Sequence, residues 1–420
     1  MGVKRGPVGI SLGSIMQFFP IRHIQQILIE SGRQSIRRRL LPSDELVYAI
    51  IAFGLFLSEG CREALRRVVR RKRDPWLDEL EDVASESAIS QARTRLGSKA
   101  VDRIYQTLVR PIATRATPGA WYRRWRVVSI DGTTLDVADT DANARAFGRP
   151  GVSSGSAAYP QLRVVTLLEN GTHVLFGAKI VGCRTHECKA AVEVLRRLPS
   201  DALCLADRGL FGFPLWRKAR ATGAHLLWRI KSDLILHKIE KLADGSYLTK
   251  IYPNARARAR DEDGELVRLI EFQITTKAGR EDYRLLCSIL DPRKAPALQL
   301  AHLYAKRWTV ETVFDELKTK LRGRAFVLRS KTPSHVRQEV YGILMAHFGV
   351  RAIMHEAALT QRVEPGELSF VHAIRVIHRY LPLYVSFPPS IELVDLPMPA
   401  PRTPAAADTP PSASPLSASR

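Results

Sequence analysis

Tyr304, Arg307, Glu311 and Lys318 lie in the stretch YAKRWTVETVFDELKTKL at spacings of three, four and seven. On a helix turning about 100° per residue, the four fall within an arc of roughly 60°. A carboxylate, two cations and a phenol on one face suit the handling of phosphate. Leu303, Val310, Phe314, Leu317 and Leu321 form an apolar stripe beside that arc, which would seat the helix against a core. Taken alone, the polar face reads more readily as a solvated surface laced with ion pairs.

Two aspartates elsewhere change the balance. The segments VVSIDG (127–132) and LCLADRG (203–209) are each an apolar strand closed by an acid, Asp131 in the first and Asp207 in the second. A carboxylate at the end of a buried strand costs solvation energy unless something positive meets it. If the two strands are neighbours, about 4.8 Å apart, both acids emerge at one edge of the sheet. A hard divalent cation such as Mg²⁺, with Mn²⁺ as a substitute, is the economical partner. Glu311 would complete a site for two ions about 3.5–4 Å apart. In-line phosphoryl transfer needs little beyond such positioning and charge neutralisation. Asp136, Asp139 and Asp141 are rivals for the first acid and Asp315 for the third, whereas Glu316 points elsewhere on the helical wheel.

The elements that must hold these residues can be read from periodicity. Residues from about 20 to 115 read as helices: His23 to Glu30, Ser43 to Leu57 with Ser43 as N-cap, Glu63 to Arg73, and Ser85 to Leu96. Arg62, Arg66, Arg67, Arg70, Arg71, Lys72 and Arg73 make the third a candidate phosphate-tracking helix. The fourth, with Gln91, Arg93 and Arg95, resembles the second helix of a helix-turn-helix, although an ordinary amphipathic helix fits as well. After Thr117-Pro118-Gly119 the pattern turns strand-like at 126–130, 162–168 and 173–180, the last two joined at Asn170-Gly171. A helix at 187–198, a strand at 203–206, a helix at 213–221 and a strand at 225–230 complete a mixed-sheet α/β unit. Extended segments fill about 231–297. Within these, Arg256, Arg258 and Arg260 would line one strand face or sit as loop charges. Helices come next, over 300–385.

The expected organisation is therefore a helical, basic N-terminal domain (1–117), an α/β domain (118–385) with a β-rich insertion at about 231–297, and a Pro/Ala/Ser-rich tail (386–420) that cannot bury a core. Lys and Arg number 64 against 42 Asp and Glu, a formal net charge of +22. That surplus points to a polyanion, with nucleic acid ahead of an anionic membrane. The longest apolar run, Leu46 to Leu57, is too short to span hydrocarbon about 20 residues thick. Five cysteines are too few and too scattered for a disulfide framework, which favours a reducing cytoplasm. Cys183, His186 and Cys188 offer zinc ligands but lack a matching second cluster.

With these residues in view, the chain resembles the insertion sequence 4 family of DDE transposases. Tyr304, Arg307, Glu311 and Lys318 match that family's Tyr-x2-Arg-x3-Glu-x6-Lys signature without a gap. The run from Asp131-Gly132-Thr133 through Asp139 and Asn143 resembles its first-acid context, and Asp207-Arg208-Gly209-Leu210-Phe211 its second. The resemblance covers roughly residues 20–385. It implies an RNase H-like catalytic fold with a β-rich insertion between the second Asp and the Glu, preceded by helices. It further implies cut-and-paste transposition: Mg²⁺-dependent nicking at terminal inverted repeats, hairpin formation and reopening, then strand transfer to target DNA. Asp131, Asp207 and Glu311 would hold the metals. Tyr304, Arg307, Lys318 and Arg208 would bind DNA, and Trp308 would stack on an unpaired base or pack as a core aromatic. The implied partners are DNA and a second transposase copy in a paired-end complex, in the nucleoid, with no membrane. A metal-dependent nuclease without strand transfer and an inactive DNA-binding relic or repressor remain open alternatives.

Overall fold

The structure is a computed structural model that describes residues 12–36, 41–68, 83–151, 159–276, 279–321 and 327–381, together with Ala413 and Ser414. Five helices come first: α1 (Ile21–Glu30), α2 (Ser43–Leu55), α3 (Cys61–Val68), α4 (Glu86–Leu96) and α5 (Ser98–Leu108). The apolar run read as a buried helix is α2, in which every residue from Leu46 to Leu55 is buried. Pro42 rather than Ser43 takes its N-cap position. At α4 the Ser85 hydroxyl accepts from the Ala88 N–H at 3.2 Å and caps the helix. Arg70 to Arg73 fall outside the described residues, while Arg66 and Arg67 pair with Glu63 and Glu59.

The α/β part begins with a short strand, β1 (Trp121–Tyr122), and continues through β2 (Trp125–Asp136), α6 (Asp141–Phe147), β3 (Gln161–Glu169), β4 (Val174–Gly182), α7 (Glu187–Leu195), β5 (Ala202–Ala206), α8 (Phe213–Arg220) and β6 (His225–Arg229). These strands lie in the order β4-β3-β2-β5-β6. β3 runs antiparallel to both β2 and β4, whereas β2, β5 and β6 run parallel. This is the RNase H-like arrangement the resemblance implied. The helical crossovers through α7 and α8 supply the parallel connections.

The insertion adds to that sheet rather than standing apart from it. Its elements are β7 (Glu240–Lys241), β8 (Tyr247–Ile251), α9 (Ala255–Arg260), β9 (Glu265–Thr276) and β10 (Gly279–Cys287), and the sheet runs on from β6 as β10-β9-β8-β7. Leu285, Leu286 and Cys287 pair with Arg229, Trp228 and Leu227 across the join. The fully buried Arg268 donates to the Ser246 hydroxyl (2.7 Å) and the Ala295 carbonyl (2.6 Å) and pairs with Asp244, fastening the insertion at its base. Arg256, Arg258 and Arg260, expected on a strand face or in a loop, lie instead on α9. There the Asn254 side chain accepts from the Ala257 N–H at 2.9 Å and caps the helix.

The last helices are α10 (Ala297–Ala305), α11 (Thr309–Asp315), α12 (Pro333–Gln361) and α13 (Phe370–Tyr380). A 3₁₀ turn at Lys306–Trp308 separates α10 from α11, and a π-helical turn at Glu316–Lys320 comes directly after α11. The 29-residue α12 is the hub, packing on α2, α5, α13 and β4. Its crossing with α2 is so close that a Cβ on Gly54 would stand 2.4 Å from the Gly342 carbonyl oxygen. A Cβ on Gly342 would stand 2.5 Å from the Ile50 oxygen. Because backbone faces backbone, no side chain can swing aside. Gly54→Val should therefore lower stability by about 3 kcal/mol, read in a thermal melt as a clear drop in Tm. An unchanged Tm would show that the two helices part without cost.

Alternation along β2 and β5 sets which way the acids face. Val127, Leu203 and Leu205 share a core with Leu300, Leu303 and Tyr304 of α10. Val128, Ile130, Cys204 and Ala206 share the other core with α7, α8, α11 and α12. With a two-residue period, Asp131 and Asp207 continue the Val127 and Leu205 rows and emerge on the α10 side.

Candidate metal centre

Pairing between β2 and β5 ends at Ile130 opposite Ala206. Asp207 comes at once after it and opens the 3₁₀ turn Arg208–Leu210. Asp131, by contrast, is not a strand-end residue. β2 runs on to Asp136, paired only with β3, so Asp131 sits beside a notch where its parallel partner has stopped. The expectation that two parallel neighbours deliver both acids to one edge holds in the observed register, although only one of the two strands actually ends there.

The helical segment bearing the third acid passes this notch. α10 belongs to one core and α11 to the other, so the chain crosses the end of β5 at the Lys306–Trp308 turn. The Asn170 amide donates to the Lys306 carbonyl at 2.8 Å and holds the crossing in place. Arg307 stands at this point, 6% exposed, and its two terminal nitrogens lie 3.3 Å from Asp131 Oδ2 and 3.3 Å from Glu311 Oε1. One guanidinium thus gathers two of the three expected acids. Burial works against its charge, but Tyr304, Asp207, Asp131 and Glu311 outweigh that and raise its pKa. Burial pushes the Asp131 carboxyl up to about 6, with Glu187 and Asp207 adding to the rise and the Gly132 N–H and Arg307 partly offsetting it.

The signature residues do not share one face as the regular wheel suggests. Tyr304 is 2% exposed, and its hydroxyl donates to the Ala206 carbonyl at 3.2 Å, which steadies the strand end carrying Asp207. Lys318 falls in the π-helical turn at Glu316–Lys320, which departs from the regular wheel. Burial depresses its pKa, with Asp136 opposing. Trp308 is 51% exposed, so it is no core aromatic, and the Arg307 guanidinium lies 4.9 Å from its ring centre. Arg208 is exposed beside the notch, at the rim of a cavity of about 530 Å³ that Lys231, Lys250 and Arg258 also line.

The rival acids are engaged elsewhere. Asp136 accepts from Gln161 at 2.7 Å, Asp139 pairs with Arg149, Asp141 opens α6 under its Thr140 cap, and Asp315 pairs with Lys320 at 3.1 Å. Glu316 is fully buried against Arg351 and His347, in keeping with its poor position on the wheel. The His186 imidazole accepts from the Cys188 N–H at 3.3 Å as the N-cap of α7. In the N-terminal helices, Arg93 is buried and donates to Gln338 (3.1 Å), Ser330 (3.1 Å) and the His335 carbonyl (2.7 Å). Of the residues read as groove-facing on α4, only Gln91 and Arg95 are exposed.

The donor chemistry fits a divalent ion. The acids at the notch offer oxygen only, and their present counter-charge is an arginine bridging Asp131 and Glu311. The Oε1 of Glu187 beside them is buried without a hydrogen-bond partner among the described residues. As the side chains stand, no three His, Cys, Asp or Glu among the described residues converge on one point, and Arg307 lies between Asp131 and Glu311. Sequence reading missed Glu187. It sits inside the segment that looked like a zinc motif, and that pattern drew attention to the cysteines instead.

Among the described residues, no helix is long and apolar enough to cross a membrane. Two family descriptions match the chain: "Transposase DDE domain" over residues 124–348 and "Insertion element 4 transposase N-terminal" over residues 9–106. The transposase InsG for insertion sequence element IS4 of Escherichia coli K12 is 30% identical over 374 residues, 88% of this chain and 83% of that protein. The putative transposase InsZ of the same organism is 26% identical over 215 residues, covering 50% of this chain and 69% of its own length. A cryo-EM structure of the piggyBac transposase synaptic complex with hairpin DNA aligns with 91% of this chain and 83% of that chain at a TM-score of 0.45 and 12% identity, a likeness too distant to bear on residues.

Proposed function

The chain belongs to the DDE transposases of the insertion element 4 type, metal-dependent enzymes that cleave DNA and transfer strands, and from that premise we propose that it excises and inserts an insertion sequence by cut-and-paste. It binds the terminal inverted repeats and cuts at the element end. The freed 3′ hydroxyl then attacks the opposite strand to form a hairpin, which is reopened before strand transfer into target DNA. In the first cut a water oxygen bonds to phosphorus and the P–O3′ bond breaks, leaving a 3′ hydroxyl and a 5′ phosphate. The observation that carries this reading is the Arg307 bridge between Asp131 and Glu311 at the notch beside Asp207.

Asp131, Asp207 and Glu311 would hold two Mg²⁺ ions, with Mn²⁺ as a substitute. Bound there, the ions supply a nucleophile at neutral pH and charge stabilisation for the departing oxygen. The chain's own residues do the rest. Tyr304 fixes the β5 end through the Ala206 carbonyl. Arg307 and Arg208 present guanidinium groups to phosphates around the end. Lys318, beside Asp136, meets the backbone farther along. Exposed Trp308 stacks on a base unpaired at the end. A second copy completes a paired-end complex, and the nucleoid is the place of action. The helical segment 1–117 adds phosphate contacts, and 118–385 carries out the chemistry.

Incubating the purified chain with Mg²⁺ and a labelled element end should yield nick, hairpin and joined product in turn. Cleavage without joining of a pre-cut end would leave the nuclease reading instead. Arg307 supplies a second test. A phosphate that draws its guanidinium away releases two carboxylates, so end binding and ion binding reinforce each other. Arg307→Ala should bind Mn²⁺ about tenfold more tightly than the parent without DNA and should lose most of the further tightening that end DNA brings. Equal Mn²⁺ affinity in the two proteins would show that the bridge does not restrain the site.

A further inference from the structure

Gly132 connects two acids. Its N–H donates to Asp131 Oδ1 at 2.8 Å. A Cβ on it would stand 2.3 Å from Glu187 Oε1 and 3.3 Å from Val165 Cγ2, so glycine leaves open the space that the Glu187 carboxylate occupies. Glu187 rises from the first turn of α7, whose Ala190, Ala191 and Val194 share the core with Val128 and Ile130. A continuous sheet would keep such a side chain away from acids on the α10 side. Here β5 stops opposite Ile130, so past that pair no strand intervenes.

The surroundings of Glu187 call for a cation. Its Oε1 is buried and has no hydrogen-bond partner among the described residues, a costly state for a carboxylate oxygen. Burial raises its pKa and Asp207 adds to the rise, while Arg163 and His186 oppose it without cancelling it. A first-turn acid at a helix N-terminus gains from the helix dipole, but that gain needs no glycine cradle on a neighbouring strand.

We infer that Glu187 is a fourth carboxylate of the metal centre, entering through the notch at the end of β5 from the α7 side and contributing oxygen to a divalent ion. The inference rests on the reading of Asp131 and Asp207 as metal ligands. It adds a helix before the second acid to the elements that build the centre, and it explains why the residue after Asp131 carries no side chain.

The isosteric Glu187→Gln separates this role from a structural one. In the full chain, Mn²⁺ binding monitored by the electron paramagnetic resonance signal of the free ion should weaken about tenfold. The Mg²⁺ concentration giving half-maximal cleavage of an element end should rise in step, with Tm nearly unchanged. Gly132→Ala should reproduce the loss by displacing the carboxylate, and adding Gly132→Ala to Glu187→Gln should cost little more. Asp207→Asn is the control. If it weakens Mn²⁺ binding while Glu187→Gln leaves affinity and Mg²⁺ requirement at parental values, or shifts only Tm, the fourth ligand is refuted and the centre stands. If Asp207→Asn also binds Mn²⁺ like the parent, the centre itself is refuted and Glu187 with it.

Discussion

Asp207→Asn should slow strand cleavage by at least about 10³-fold while binding to element ends stays within about threefold of the parent. Asparagine keeps the size of the side chain and one oxygen but removes the charge that an ion at the notch needs. The protein around it has little reason to move. Asp207 comes directly after the last residue of β5, its side chain makes no cap to the turn it opens, and Tyr304 continues to hold the Ala206 carbonyl. Asp131→Asn should act in the same way, because Oδ2 faces Arg307 and only Oδ1 is tied to the Gly132 N–H. Gel-shift binding measured alongside single-turnover cleavage checks both variants. Cleavage by Asp207→Asn within tenfold of the parent would remove Asp207 from the centre. Asp315→Ala should remain active, since that side chain pairs with Lys320 on the outside of the segment.

Arg351→Met should destabilise the fold by about 3–5 kcal/mol. Glu316 is fully buried, and its two oxygens are met by the Arg351 guanidinium, with Nε at 3.1 Å, and by the His347 imidazole at 3.2 Å. Burial alone would push the Glu316 carboxyl up. Arg351 and His347 outweigh it and hold the group well below the usual carboxylate range. Removing the arginine leaves a carboxylate in an apolar interior with only a neutral-leaning histidine. Linkage fixes the direction of the pH dependence. The depressed folded pKa contributes stability that is full above the unfolded value near 4.5 and is lost as pH falls below it. Denaturant unfolding of the parent and Arg351→Met at pH 7 and pH 4 measures this. The gap between the two proteins should be wide at pH 7 and narrower at pH 4. A gap below about 1 kcal/mol at pH 7 would show that the pair is dispensable.

Much of this was legible in the sequence because it depended on local periodicity. The strands carrying Asp131 and Asp207 announce themselves as apolar runs leading to an acid, although β2 runs on past Asp131 to Asp136, and their shared facing comes from counting by twos. Glu316 was correctly set aside by the helical wheel. The wheel failed where the helix is not uniform. The segment passes through a 3₁₀ turn at Lys306–Trp308 and a π-helical turn at Glu316–Lys320, and short-range spacing carries no sign of either. Partners distant in the chain were equally out of reach. Arg93 looks like a groove-reading cation until Gln338, Ser330 and His335 close around it. Glu187 became visible only through the empty α-carbon of Gly132. The alternating Arg256, Arg258 and Arg260 fit a strand by pattern, but Asn254 starts a helix there instead.

The unbroken run of hydrogen-bonded strands from β5 through β6, β10 and β9 to β8 gives the molecule a built-in ruler. Four strand spacings of about 4.8 Å set β8 about 19 Å from the notch, with β7 one strand beyond it. The Arg268 fastening at Asp244 and Ala295 keeps that distance from drifting. Backbone hydrogen bonds alone thus tie the position of the far strands to that of the notch.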